Sequence, residues 1–230
     1  MFVKRIKAYY FLFFFLFHIA IMIILLPFFK KWNSKLRKWT SKAILVSGNV
    51  KVRVFGKPSP DANMFILNHQ SMLDIMAMEV ATPDIDLAWV AKKELFQIPF
   101  FGYSLSLTNM IEIDRQDRRG ILKLLKDAKD RASKNRVVTI FPEGTRNTKN
   151  SMLKFKSGAS IVANKHGFIV QPVVLVNSAK RLNTKEMTAS GGCVDVVFLP
   201  PFKATKERDW LNESREKMLK VFLERVEQDG

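Results

Sequence analysis

The chain has a single cysteine, Cys193, among 230 residues. One thiol has no internal disulfide partner and can build neither a zinc ribbon nor a thiol redox pair. There is no internal repeat and no disordered linker. Hydrophobic residues make up 47% and charged residues 26%, which excludes a disordered, collagen-like or low-complexity chain. The length, about one and a half times a soft single-domain prior, fits one domain with an appendage. Acidic residues are absent from the first 60 positions, where twelve basic residues stand; Asp61 is the first carboxylate. The net charge of +17, from 38 Lys and Arg against 21 Asp and Glu, therefore sits mostly at one end. An excess of this kind suits nucleic acid or an anionic membrane, and its position decides between them.

That acid-free end also holds the longest apolar run, from Ala8 to Phe29, interrupted by His18 and Pro27. Roughly 20 apolar helical residues cross a bilayer core, so the run is long enough to span. It is too long for an ordinary signal sequence and no small-residue cleavage site follows it, so it reads as a retained anchor. Lys4, Arg5 and Lys7 precede it, and Lys30, Lys31, Lys35, Arg37 and Lys38 follow it. The second cluster favours a cytoplasmic placement for the rest of the chain; a half-inserted helix is the alternative, since both flanks are basic. Trp32, Leu36, Trp39, Ala43 and Val46 then fall on one helical face, with Lys31, Lys35, Lys38 and Lys42 beside them. Such a stripe suits a helix lying at headgroup level with its lysines snorkelling to phosphates, or a helix packed on the protein's own core.

Beyond residue 48 the pattern alternates. Strand-like segments at Val50–Val54, Met64–Leu67, Asp86–Ala91, Met110–Ile113, Val137–Phe141, Val170–Val176 and Val194–Leu199 are interleaved with helix-like ones at Ser71–Val80, Glu94–Ser106, Arg118–Lys134, Ser157–Lys165 and Glu207–Val226. The expected architecture is an α/β domain over 49–230, with a mixed sheet flanked by helices. A membrane-associated helical hairpin at 1–48 precedes it. Functional residues of such a domain belong in loops at strand ends.

Two segments in such positions carry chemistry. Asn68-His69-Gln70-Ser71-Met72-Leu73-Asp74 follows the strand-like Met64–Leu67. His69 and Asp74 are five residues apart, which neither a continuous helix nor a strand brings together. A turn does, if Ser71 caps a helix whose first turn holds Asp74. The pair then serves either as a general base or as an ordinary structural contact. Phe141-Pro142-Glu143-Gly144-Thr145-Arg146 follows another strand-like run. There Gly144 lets backbone approach a ligand and Arg146 offers a planar fork to phosphate or carboxylate. Lys92 and Arg115 lie past two further strand-like runs. With Arg146 they make an anion pocket, or else each pairs with a nearby acid such as Glu94 or Asp114.

Taken in order, these segments resemble the 1-acylglycerol-3-phosphate acyltransferase family over roughly Val50 to Val176. The N-H-x-S-x-x-D block is matched by Asn68 to Asp74, the third block by FPEGTR, and the following F-K-x-G-A by Phe155, Lys156, Gly158 and Ala159. The stretch AKKELFQIPFFGYSL is similar to the family's segment between its first and second blocks. Departures fall in the second block, where Asn109 to Arg115 lacks the usual Gly and aromatic. In the fourth, Gln171 replaces an apolar residue before Pro172, and Asn147 stands where Ser is common after Arg146.

The resemblance implies transfer of a fatty acyl group from acyl-CoA or acyl-ACP to the free hydroxyl of lysophosphatidate, with neither metal nor cofactor and no nucleic acid. It implies His69 as the base and Asp74 as its orienting partner. Arg146, Lys92 and Arg115 would hold the acceptor phosphate, and Glu143 would contact glycerol or brace its loop. Backbone N–H groups near Gly144, with Thr145 beside it, would supply part of the oxyanion stabilisation. Another acceptor, a lyso-aminolipid or glycerol-3-phosphate, and a non-catalytic membrane-binding protein are the competing readings. A hydrolase lacks its G-x-S-x-G elbow. The implied location is a membrane, with the catalytic domain on the cytoplasmic face.

Overall fold

A computed structural model describes residues 1–114 and 117–228. The chain begins with α1 (Phe2–Leu25), a single 3-10 turn at Lys30–Trp32, and α2 (Asn33–Ser47). There follow β1 (Val50–Phe55), β2 (Met64–Leu67), α3 (Leu73–Ala81), β3 (Leu87–Lys92), α4 (Lys93–Phe96), α5 (Phe101–Leu107) and β4 (Ile111–Ile113). The second half comprises α6 (Arg118–Ser133), β5 (Val137–Ile140), α7 (Gly158–His166), β6 (Ile169–Val176), α8 (Ser178–Arg181), β7 (Leu182–Asn183), β8 (Thr188–Ala189), β9 (Gly192–Phe198), β10 (Phe202–Lys203) and α9 (Trp210–Gln228).

The main sheet runs β1-β9-β6-β2-β5-β3-β4, with β10 added beside β6. From β6 through β2, β5 and β3 to β4 all pairs are parallel, whereas β9 is antiparallel to β6. This is the mixed α/β sheet the alternating pattern implies. β2 lies at its centre and every residue in it is buried, which is why it reads as a continuous apolar run without alternation. Phe65 and Leu67 enter a core shared with α1, α2 and α3, while Met64 and Ile66 enter a second core under α6, α7 and α9. Pro172 is tolerated inside β6 because the Leu199 carbonyl, which faces the donor that proline lacks, accepts the Gln171 side-chain amide at 2.9 Å instead.

One local expectation is corrected. The helix read over Glu94–Ser106 is two short helices, α4 and α5, broken where Pro99 removes a donor and Phe100 adopts φ +61°. Gly102 lets them meet, because a Cβ there would stand 1.9 Å from the Phe96 carbonyl oxygen. Ser71 caps the first turn of α3 as expected: its Oγ accepts the Leu73 N–H at 3.3 Å and Asp74 Oδ2 accepts the Ser71 N–H at 2.9 Å, while the same Oγ donates to the Leu182 carbonyl at 2.7 Å. The segment after β6, which carries no clear period, forms α8 and the β7–β8 hairpin.

α2 turns Arg37, Thr40, Ser41, Ile44 and Leu45 towards the protein, all of them buried, whereas Trp39 and Val46, and Trp32 just before the helix, are 61%, 69% and 59% exposed. One face thus packs on the protein's own core through Ile44 and Leu45 while large apolar side chains remain exposed on the other. Lys38 departs from the snorkelling expected of it: its ammonium turns inward to the Thr82 and Ile85 carbonyls, both at 2.7 Å, and lies 3.4 Å from Glu79 Oε2. Burial lowers its pKa, partly opposed by Glu79. Arg37 donates to Glu79 Oε1 at 3.0 Å, Asp86 Oδ1 at 2.8 Å and the Leu87 carbonyl at 3.1 Å. Burial disfavours its charge, but Glu79 and Asp86 outweigh that and raise its pKa above the ordinary value.

α1 is the one helix among the described residues long and apolar enough to cross a membrane. Ala8, Phe11 and Met22 are buried where it packs on α2 and on the β7–β8 hairpin; most of its other large residues are exposed. His18 satisfies its ring within the helix through the Phe14 carbonyl at 2.7 Å.

Arg37→Met leaves Glu79 and Asp86 with fewer buried partners. The expected cost is about 3 kcal/mol, at the lower end for a broken buried pair because Lys38 and Arg136 remain nearby. The corresponding fall in melting temperature of detergent-solubilised protein is roughly 10 °C. A shift under about 2 °C contradicts this account of how α2 is fastened.

Candidate active site

Because β2, β5, β3 and β4 are parallel neighbours, the segments leaving their carboxyl ends emerge along one edge of the sheet. Those segments are Asn68–Asp74, Phe141–Arg146, Lys92 with α4, and Asp114. Arg115 lies outside the described residues. Asn68 ends the central strand by pairing its side-chain amide with both the N–H and the carbonyl of Leu175, at 2.7 and 2.8 Å, so the backbone is free to turn.

In that turn His69 Nδ1 lies 2.8 Å from Asp74 Oδ2, which also accepts the Gln70 N–H at 2.7 Å and the Ser71 N–H at 2.9 Å. Asp74 is fully buried in the first turn of α3, and the His69 side chain is 16% exposed. Because a carboxylate only accepts, the contact at Oδ2 assigns a proton to Nδ1, and in the neutral ring the lone pair is then on Nε2. The imidazole stacks on Phe141 at 3.9 Å between centroids, and Phe141 stacks on Trp89.

Glu143 binds the two loops together. One of its oxygens accepts the His69 N–H and the other the Leu153 N–H, each at 2.8 Å. Burial pushes its carboxyl above the usual carboxylate range, opposed by those two backbone hydrogen bonds. With both oxygens taken, Glu143 braces the loop. Asn147 adds a bond from its N–H to the His69 carbonyl at 2.8 Å, and Gln70 Nε2 donates to the Lys149 carbonyl at 3.1 Å. Gly144 holds φ +73°, a left-handed value suited to glycine, and its N–H closes the turn onto the Phe141 carbonyl at 3.0 Å. An oxyanion donor in this loop therefore has to be a different N–H.

A cavity of about 430 Å³ opens at His69, with Thr145, Arg146 and Lys92 among its lining residues. Its walls include Phe15, Ile19 and Met22 of α1, Ile44 of α2 and Leu105 of α5. Two other cavities, of about 440 and 570 Å³, include neither His69 nor Asp74, so size does not single out the site but chemistry does. Arg146 is exposed and donates to Thr184 Oγ1 at 3.1 Å. Asp114 pairs with Lys93 at 2.9 Å, not with Lys92. Among the ion pairs of the described residues neither Lys92 nor Arg146 takes part, so both cations remain available at the cavity mouth.

Sequence reasoning missed Thr184, on a hairpin with no legible period, and missed that α1 lines the reactive cavity. It also gave no role to Gln70 or Trp89, whose partners are distant in sequence. Gln171, the unusual residue of the fourth block, is far from His69: it ties the Lys57 and Leu199 carbonyls and the Ser59 N–H at the opposite end of the sheet.

The folded pKa of Glu143 is raised above its unfolded value of about 4.3. Its protonated form therefore favours folding, and that contribution is full below the unfolded pKa and lost as pH rises through the folded one. Glu143→Gln keeps one acceptor and removes the titration. Its melting point should lie furthest below wild type near pH 4, and the gap should narrow towards pH 7. A gap that widens with pH contradicts the assignment.

The family model described as Acyltransferase matches residues 51–176. The chain is 37% identical over 206 residues to a 1-acyl-sn-glycerol-3-phosphate acyltransferase of Helicobacter pylori, covering 88% of this chain and 86% of that one. It is 36% identical over 162 residues to a protein of the same description from Chlamydomonas reinhardtii, covering 66% of this chain and 48% of that longer one. Among solved structures, the 1-acyl-sn-glycerophosphate (LPA) acyltransferase PlsC of Thermotoga maritima superposes with a TM-score of 0.75 at 24% identity, over 98% of this chain and 95% of that one. At that identity the likeness concerns the fold.

Proposed function

Since this chain belongs to the acyltransferase family, we propose that it transfers a fatty acyl group from an acyl thioester to the free hydroxyl of lysophosphatidate, forming phosphatidic acid. The observation that carries the reading is the His69–Asp74 pair at the mouth of a largely apolar cavity, with Arg146 and Lys92 beside it. An apolar cleft with a few convergent polar groups accommodates an acyl chain with its reacting carbonyl at the rim. His69 Nε2 takes the proton of the acceptor hydroxyl as the oxygen attacks the thioester carbonyl carbon. The C–O bond forms, the C–S bond breaks, and the imidazolium returns its proton to the leaving thiolate. Asp74 holds the ring in the tautomer this requires and opposes the charge that develops on it. Because the alcohol attacks directly, no acyl-enzyme is needed. Acyl-CoA and acyl-ACP both fit as donors, and no cofactor or metal takes part in these steps.

Arg146 and Lys92 supply charge for the acceptor phosphate, Arg146 with planar geometry that lysine lacks. The outward apolar face of α2 and the exposed length of α1 support placing the cavity mouth at a membrane surface, where acceptor and product reside. Leaving the lipid there avoids extracting it, at about 0.8 kcal/mol per exposed CH₂. Basic flanks on α1 favour the cytoplasmic side, where thioester donors are made.

Incubating the purified protein with an acyl thioester and either lysophosphatidate or monoacylglycerol tests the reaction. Wild type should acylate lysophosphatidate and barely use monoacylglycerol. His69→Ala should lose activity by about 10²-fold or more while remaining folded, and Asp74→Asn nearly as much. Arg146→Ala should impair lysophosphatidate use by about tenfold or more, and Arg146→Lys less. Release of free acid, or no turnover, is the result that sinks the proposal.

The interfacial placement has its own measurement. Brominated lipids in vesicles should quench a large share of the tryptophan emission, and the Trp32→Phe/Trp39→Phe double variant should lose most of that quenching. The buried Trp210 and Trp89 should contribute little of it. Undiminished quenching in the double variant argues against an α2 face at the headgroups.

A further inference from the structure

Phe141 has no part in the steps above, yet its ring lies against the reactive group. It leaves β5 half-buried, with 3.9 Å between its centroid and that of His69 and 14° between the two planes. Trp89 backs it at 5.4 Å and 21°. The Trp89 indole N–H donates at 3.0 Å to Glu79 Oε1, the same oxygen that Arg37 of α2 grips. The stack therefore has the imidazole at one end and a buried ion pair at the other.

One hydrogen bond through Nδ1 fixes a tautomer and a point of attachment, but leaves the ring free to swing about the Nδ1···Oδ2 line. A parallel aromatic face at 3.9 Å removes that freedom, so Nε2 aims in one direction. Face-on placement also sets the negative face of the Phe141 quadrupole against the ring that becomes positive on accepting a proton. We propose that Phe141 is a positioning residue for the base, setting the plane of the His69 imidazole and favouring its cation, with Trp89 and Glu79 as the fixed backing of the stack. This inference rests on the reading of His69 as general base.

A purely space-filling role gives a different expectation, because Phe141 also lines the cavity and any apolar side chain of similar volume would serve there. The full-length protein in detergent, assayed with an acyl thioester and lysophosphatidate, separates the two. Phe141→Tyr keeps the ring and should retain kcat within about threefold. Phe141→Leu and Phe141→Met keep the apolar volume and should lose roughly tenfold or more in kcat per folded enzyme, with the KM for lysophosphatidate little changed. Trp89→Leu, which removes the backing, should follow in the same direction with a smaller loss. The inference is overturned if Leu or Met at position 141 matches Tyr in turnover per folded enzyme, including the case in which Phe141→Leu is merely unstable and Phe141→Met is active. His69→Ala, assayed alongside, tells the failures apart. If it is inactive while Phe141→Leu is normal, only the positioning role falls. If it is active, the base assignment falls and the stack's role with it.

Discussion

Two buried carboxylates hold the turn after β2, and the geometry of the reactive end follows from that turn. A tight turn leaves backbone N–H groups without strand or helix partners, and burying them unpaired is costly. Asp74 accepts those of Gln70 and Ser71 while also holding the imidazole. Glu143 accepts that of His69 from a different strand end, and with its other oxygen reaches Leu153. An ionised carboxylate offers acceptors only, so each arriving donor reinforces the same geometry. The loop after β5 thereby becomes the second wall of the His69 site, although 74 residues separate His69 from Glu143 in the chain.

The same logic, with charges reversed, fastens α2. Trp39 and Val46 of α2 are exposed and only Ile44 and Leu45 enter the core, so an apolar seam holds just part of this helix. Arg37 and Lys38 take over that task on the inner face, reaching Glu79, Asp86 and three backbone carbonyls. Buried ion pairs of this kind lend little net stability compared with an apolar contact, but they bind at one place and one angle. Glu79 also receives the Trp89 indole N–H, so the helix that faces outward and the aromatic wall behind His69 share one anchoring carboxylate.

The cavity between these parts has walls from both ends of the chain. Phe15, Ile19 and Met22 of α1 face Met72 and Ile75 around α3, and cations stand at the rim. Apolar walls with charge confined to the mouth match an amphiphile whose tail enters and whose head remains outside. An acylated lipid with a phosphate head has that shape, which is why the proposed reaction and the proposed membrane placement support each other.

Much of this was legible in the sequence. The alternation of short apolar runs with helical periods is a local property, and it located most strands and helices to within a few residues. Asn68 to Asp74 and FPEGTR stood out because their chemistry is carried by adjacent residues, and the acid-free end announced itself by charge and hydropathy alone. What the sequence could not determine were relations between distant segments. That Glu143 accepts the His69 N–H, that Lys93 and not Lys92 takes Asp114, that Lys38 turns inward, and that Thr184 meets Arg146 all depend on which strands are neighbours. Strand order is set by the packing of whole faces, with β5 lying between β2 and β3 although it follows both. Local composition carries no record of that choice. The residues were chosen by the sequence, and their partners by the tertiary structure, because hydrogen bonds and stacked rings require a proximity that only the assembled sheet supplies.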